Sequence, residues 1–411
     1  MLEGIGLQTA GPEPLAARWN GEAPALGEAI HNRMVDLTEM TTVNGPLPTL
    51  PVARPMLPRA EALRPYLEAV DASSWYSNFG PMILGLEQRL AERLGPGAHV
   101  TTGSNATQLI TLTLQAMGLA AGSLCIIPSW TFVATAHAVI QAGLVPWFVD
   151  VDPQTGALDP QRVLALLDQA PGPVSSLIVV APHGHMPALE GWCQFREQTG
   201  IEVIVDAAAA FDAVDACPLP TVISLHATKA LGIGEGGYLA HLDRALVARV
   251  RQMTSFGFFG DREAKMVATN AKLSEFSGAV GMAALDRWPS DRGQWMARAQ
   301  LYRTALASLP GVQFQEGWGT DWISSVCVVT LAKGSSVAMA EHLLQQGIET
   351  RQWWGAGCHM SRAFSDYPKT ALPVTEHLAH TTLGLPFWLA MTEADITRVA
   401  TAIREAYGRG A

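Results

Sequence analysis

A lysine set among apolar and glycine residues is an unusual reagent, and Lys229 stands in such a stretch, from Ser224 through Leu225-His226-Ala227-Thr228 to Gly232 and Gly234. Desolvation disfavours the ammonium, so an enclosed lysine becomes a Schiff-base nucleophile. A lysine that snorkels to the surface would have the same neighbours in sequence. Asp206 ends the apolar run Ile204-Val205 and is followed by four alanines. A carboxylate there either caps a loop or needs a cationic partner. Thr102-Gly103-Ser104-Asn105-Ala106 opens a helical pattern with small residues and no acid. Such a start leaves free N–H groups and the positive dipole end open to a phosphate, although an ordinary helix cap also fits it.

With the aromatic Phe132, these residues form one constellation, the parts of a pyridoxal 5'-phosphate site. The lysine holds the cofactor as an imine, and the aspartate keeps the pyridine nitrogen protonated so that the ring acts as an electron sink. The aromatic face stacks on the ring. Other motifs carry less. Gly232-Ile-Gly234-Glu-Gly236-Gly237 matches a dinucleotide fingerprint but precedes a strand pattern instead of following one. Asn105-Ala106-Thr107 is a glycosylation triplet without a secreted context. His183-Gly184-His185 has metal-ligand residue types without further ligands nearby, so it is taken as incidental and no metal is expected.

The elements that must position these residues alternate. Helix Asn105–Met117 precedes strand Leu124–Pro128, helix Thr135–Gln141 precedes strand Pro146–Val151, and helix Pro160–Leu167 precedes strand Ser176–Ala181. Helix Leu189–Gln198 leads to strand Val203–Asp206, followed by Val222–Leu225 and Tyr238–His241. Short apolar strands between helices mean a mostly parallel sheet covered on both faces, with ligands beyond its carboxyl edge. Upstream, helical patterns run from about Ala60 and over Leu84–Leu94. From about Trp288 a smaller α+β unit is expected, with helices Gln294–Leu306, Val337–Gln346 and Glu393–Tyr407 and strands near Val312 and Ser325–Leu331. Thr392 and Asp395 have capping spacing for the last helix.

Hydrophobic residues make up 48% of the 411 and charged ones 16%, which excludes a disordered or tail-like chain. The net charge of −10 and the lack of a basic run argue against nucleic acid and anionic membranes as partners. Leu94 to Val149 holds no Asp, Glu, Lys or Arg. Glycines and prolines break it before any piece reaches spanning length, so it reads as core. Five scattered cysteines without a CxxC fit a reducing, cytoplasmic setting, and the N-terminus has no secretory h-region.

Taken in order, the motifs resemble the DegT/StrS-type sugar aminotransferases, which are fold type I pyridoxal phosphate enzymes. The resemblance runs from about Leu50 to Ala406. It rests on Gly103-Ser104-x-Ala106, Pro128-Ser-Trp-Thr-Phe132-Val-Ala-Thr135, Phe148-Val-Asp-Val-Asp152, Asp206-Ala-Ala, Ser224 with Lys229, Gly234-Glu-Gly-Gly237, Asn270-Ala-Lys-Leu-Ser-Glu275 and Leu385-Pro386. It implies an α/β fold whose large domain has a mostly parallel seven-stranded sheet flanked by helices, with a smaller C-terminal α+β domain. Residues 1–48 would be an extension containing a helix near Ala25 to Leu37, 49–287 the large domain and 288–411 the small one.

By resemblance, Lys229 forms the imine and shuttles the proton, Asp206 partners the pyridinium, and Phe132 stacks. Gly103 belongs to the cradle, while Ser104, Asn105 and Ser224 match phosphate ligands. Asn270 would reach the phosphate of the neighbouring subunit, implying a homodimer with shared sites. The activity implied is ping-pong transfer of an amino group from L-glutamate to a nucleotide-linked 3- or 4-keto-6-deoxyhexose. Lys272 and Arg351 are candidate cations for the nucleotide. A keto-cyclitol or unlinked ketone is the rival acceptor. A regulatory pyridoxal phosphate-binding protein is a further alternative, as is a dehydratase, although that group carries His where this chain has Lys229. Two departures stand out: Ala209, where relatives usually have Gln or His, and Arg351-Gln-Trp353-Trp354 at the expected substrate wall. The aromatic loop Ser255–Gly260 suits dimer packing or a pocket role.

Overall fold

The computed structural model describes residues 49–409. The helix expected near Ala25 and the extension of residues 1–48 lie outside the described residues. Two helices, α1 (Ala60–Ser73) and α2 (Pro81–Leu94), lead into strand β1 (His99–Gly103). Helix α2 opens on Pro81, whose missing N–H is harmless in a first turn. The next amides, of Met82 and Ile83, donate to the buried carboxylate of Glu275 at 2.7 and 3.4 Å.

The chain then alternates through α3 (Ala106–Ala116), β2 (Leu124–Pro128), α4 (Val133–Gln141), β3 (Val145–Val149), α5 (Pro160–Leu166) and β4 (Val174–Val180). It continues through α6 (Glu190–Thr199), β5 (Glu202–Asp206), β6 (Thr221–Ser224), β7 (Gly237–His241) and α7 (Arg244–Thr254). The seven strands form one sheet in the order β1-β7-β6-β5-β4-β2-β3. Strands β3, β2, β4, β5 and β6 are mutually parallel, and β7 runs antiparallel to both its neighbours. Side chains alternate between two cores: Ile126, Leu177, Val203 and Ile223 face one, Ile127, Ile178, Ile204 and Val222 the other. Burial on both faces explains why these strands read as unbroken apolar runs. The uncharged stretch from Leu94 to Val149 becomes β1 to β3 with their helices. Among the described residues, no helix is long and apolar enough to cross a membrane.

The C-terminal part holds α8 (Glu275–Leu306), β8 (Val312–Phe314), β9 (Cys327–Leu331), α9 (Ser336–Gln345), α10 (Pro373–Thr381), β10 (Thr382–Leu385) and α11 (Glu393–Arg409). Its three strands pair antiparallel in the order β10-β9-β8. Thr392 and Asp395 do cap α11, each backbone amide donating to the other's side chain. Helix α8 begins well before the expected Gln294 and passes through the expected division at 287/288. Gly278 and Gly281 look like breakers, but each makes room for α2: a Cβ on Gly281 would sit 2.7 Å from Leu86, and one on Gly278 3.0 Å from Ile83.

Candidate active site

The carboxyl ends of β4, β5 and β6, the start of α3 and the segment carrying Trp353 and Trp354 enclose a cavity of about 350 Å³. Asn105, Phe132, Asp206, Ser224 and Lys229 all line it. Residues from separate elements thus meet where a parallel sheet places its ligands.

Asp206 is the last residue of β5 and only 6% exposed. Its Oδ2 accepts a hydrogen bond from Thr135 Oγ1 at 2.8 Å and its Oδ1 one from the Ala208 amide at 3.2 Å. Burial pushes its pKa up, while the Thr135 and Ala208 hydrogen bonds and the Lys229 charge pull the other way. Lys229 is held in a turn by its own N–H, which donates to His226 O at 2.8 Å. Burial lowers the pKa of its amine, opposed by the Asp206 carboxylate. Among the described residues its Nζ has no hydrogen-bond or ion-pair partner. A lysine so placed is a nucleophile, and a strand-end carboxylate across the same cavity can hold a cationic ring nitrogen.

The start of α3 is shaped for an anion. Asn105 is its N-cap, with Oδ1 accepting from the Gln108 amide at 2.8 Å, and the first turn carries no acidic residue. The ordinary cap is therefore present, and Asn105, Ala106 and Thr107 of that turn line the cavity. Close backbone approach fixes the position: a Cβ on Gly237 would fall 2.8 Å from Ala106 N, and one on Gly103 2.8 Å from Leu109. Ser224 Oγ accepts from the His226 amide at 3.2 Å. Phe132, which precedes α4, lies in the cavity and is 56% exposed. An unpaired amine, a buried carboxylate, an exposed aromatic side chain and an acid-free helix start fit pyridoxal phosphate.

Three expected residues stand apart from the lining. Gly103 is buried beneath α3, and Ser104 turns its amide to Ala271 O at 2.7 Å. Asn270 is exposed and its Oδ1 accepts from Lys272 Nζ at 2.6 Å. Lys272 also lies 4.6 Å from the Phe256 ring, and Arg351 is exposed, 5.4 Å from the ring of Trp353. In the aromatic loop, Phe259 is 69% exposed.

Trp353 and Trp354, from the segment expected at the substrate wall, do line the cavity, and the absence of a side chain at Gly384 is what admits Trp353. Thr135, which sequence reasoning passed over, lies outside the lining and orients Asp206 through its hydroxyl. His183 also lines the cavity, stacked on Trp354 at 4.0 Å between ring centres. The sequence reading leaves it incidental for want of a third metal ligand. Among the described residues no group of His, Cys, Asp and Glu could hold a metal. The available signal was position, since Pro182-His183-Gly184 directly follows the end of β4.

Comparison with known proteins places this geometry. The sequence profile of the DegT/DnrJ/EryC1/StrS aminotransferase family matches residues 59–404. Protein Rv3402c of Mycobacterium tuberculosis is 28% identical over 388 residues, covering 89% of this chain and 92% of that one. The dTDP-4-amino-4,6-dideoxy-D-glucose transaminase of Shigella dysenteriae is 30% identical over 268 residues, covering 64% and 71%. The crystal structure of DesI with its TDP-sugar product superposes with a TM-score of 0.79 at 33% identity, over 92% of this chain and 97% of DesI. The chain therefore belongs to the DegT/DnrJ/EryC1/StrS family and is a pyridoxal phosphate-dependent aminotransferase.

Proposed function

We propose that the protein transfers an amino group from L-glutamate to a keto-sugar, a nucleotide-linked 3- or 4-keto-6-deoxyhexose, in a ping-pong cycle. The observation that carries this reading is the meeting of Lys229 and Asp206 in one cavity. Similarity to a dTDP-amino-sugar transaminase and to a TDP-sugar-bound structure supports the acceptor class.

When bound, pyridoxal phosphate supplies an electron sink that lets a C–H bond at the amino-bearing carbon ionise. Lys229 Nζ would bond the cofactor's aldehyde carbon and, once displaced by the incoming amine, carry the proton between substrate carbon and cofactor. Its lowered pKa suits both tasks, because the neutral amine is the base. Asp206, oriented by Thr135, would hold the ring nitrogen protonated. Phe132 would cover one ring face, and Ser224, with Ser104, Asn105 and the α3 amides, the phosphate. Trp353 and Trp354 offer apolar faces to a sugar ring, with Arg351 beside Trp353 as a candidate for the nucleotide phosphates. Asn270 would serve the partner's site in a homodimer.

Titration of the pyridoxal phosphate-loaded protein with L-glutamate tests the reading. The visible absorption band is expected to give way to the near-ultraviolet band of pyridoxamine phosphate, and Lys229→Ala to show neither. A visible band that persists under glutamate would remove glutamate as donor and favour a regulatory role. With the aminated form in hand, consumption of dTDP-4-keto-6-deoxyglucose but not of unlinked ketones is the expected result.

A further inference from the structure

The wall that continues β4 and β5 presents Val180, Ala181, Ala208 and Ala209 to the cavity, with two polar side chains among them, Asp206 and His183. Asp206 is committed to the ring nitrogen in the reading above, so His183 is the remaining polar group on that wall. Its position is enforced. His183 has φ of 55° and Gly184 φ of 109°, both left-handed. A left-handed non-glycine residue is strained, and such strain concentrates where a side chain must be aimed. Only glycine fits at 184, because a Cβ there would meet Ala209 O at 2.8 Å and Ser324 Cβ at 2.8 Å, so the turn packs closely against the backbone after β5.

The imidazole itself is clamped. It stacks on Trp354 with 22° between the rings, and Trp130 lies edge-on with its ring centre 6.3 Å away. It is 7% exposed, and its Nε2 is buried with no hydrogen-bond partner among the described residues. A buried polar atom without a partner is a lasting cost unless a ligand satisfies it. His183 and Lys229 line the same cavity, and the Lys229 charge adds to burial in lowering the imidazole's pKa. Burial keeps the imidazole neutral, with one N–H to donate and no positive charge to repel the Lys229 amine.

We propose that His183 is a cofactor ligand that donates a hydrogen bond to the phenolic ring oxygen of pyridoxal phosphate, the substituent adjacent to the carbon that Lys229 bonds. This rests on the pyridoxal phosphate reading and extends it. The polar contact on this wall, for which Ala209 has no side chain, is then supplied by the turn packed against Ala209. A donor at the phenolic oxygen favours the ionised phenolate and so sets both the colour of the bound cofactor and its affinity.

The test is spectroscopic and needs no substrate. His183→Phe keeps an aromatic ring against Trp354 but has no donor. It is expected to weaken pyridoxal phosphate binding about tenfold, the worth of one hydrogen bond. It is also expected to shift the Lys229-dependent band from the visible toward the near-ultraviolet, while His183→Gln, with an amide donor, retains most of the visible band. Unchanged affinity and spectrum in His183→Phe would overturn the proposal. Should His183→Phe not fold, His183→Ala with free imidazole serves: added imidazole should restore the visible band, and no restoration sinks the idea. A wild-type protein that forms no Lys229-dependent band would overturn the cofactor reading itself, whereas a wild-type band matched by His183→Phe would overturn only the role of His183.

Discussion

Neutral His183 comes at a cost in acid. Burial, with the Lys229 ammonium adding to it, brings its pKa from 6.5 to about 3. Between those values the unfolded chain binds a proton that the folded chain does not. Stability contributed by the neutral ring is therefore present at higher pH and declines as pH falls below about 6.5, by about 1.4 kcal/mol per pH unit. Urea unfolding of cofactor-free protein between about pH 5 and 7 should show a shallower decline in His183→Phe than in wild type. Equal slopes would mean that the imidazole is protonated in the fold. Lys229 and Asp206 were legible in the sequence because small residues surround each one locally. His183 was not, because its enclosure depends on Trp354, far along the chain, and on a left-handed backbone that residue types do not announce.

At the scale of elements, the anion-receptive start of α3 is held by contact with β7. Replacing Gly237 by Ala would put a methyl group 2.8 Å from Ala106 N and 3.0 Å from Ile223 O, both backbone atoms unable to step aside. Gly237→Ala should cost about 1–3 kcal/mol, as overpacking does. It should also loosen pyridoxal phosphate more than Gly293→Ala, a control within α8 where a Cβ meets nothing within 4 Å. Thermal midpoints and cofactor titration of the two variants provide the comparison, and equal cofactor affinity would dissociate the Gly237 contact from the cradle. The doubly covered strands β2 to β7 were readable because each is a short apolar run. Strand β1 was not, because Thr101 and Thr102 look solvent-facing. Both are buried, and Thr102 is paired with Glu87, its amide and hydroxyl donating to Oε1 at 2.8 and 3.0 Å. Glu87 in turn accepts from Arg251 of α7 at 2.5 Å, a helix whose three arginines hid its apolar stripe. Helix α10 was missed for a similar reason. Its first turn is capped from β3's end by Asp150, which accepts from the amides of Val374 and Thr375 at 2.8 Å.

At the scale of the whole molecule, the homodimer proposed above has Asn270, exposed on its own chain, reach the partner's site. Co-expressed Lys229→Ala and Asn270→Ala chains test this directly. Each alone should be impaired, but a mixed dimer would hold one site free of both changes, so random pairing restores about a quarter of the wild-type sites. Activity no higher than the mean of the two separate variants would assign Asn270 to its own chain's architecture. The pairing of β1 with β7 has a further consequence, for the chain as it is being made. The strand that leads into the start of α3 is the first of the sheet to leave the ribosome, yet its partner follows about 140 residues later. Through that interval β1 has no neighbour on its own edge of the sheet. The start of α3 is thus held by β7 only after Asp206 and Lys229 have been synthesised, so that wall of the cavity is completed after the two groups proposed to meet the cofactor.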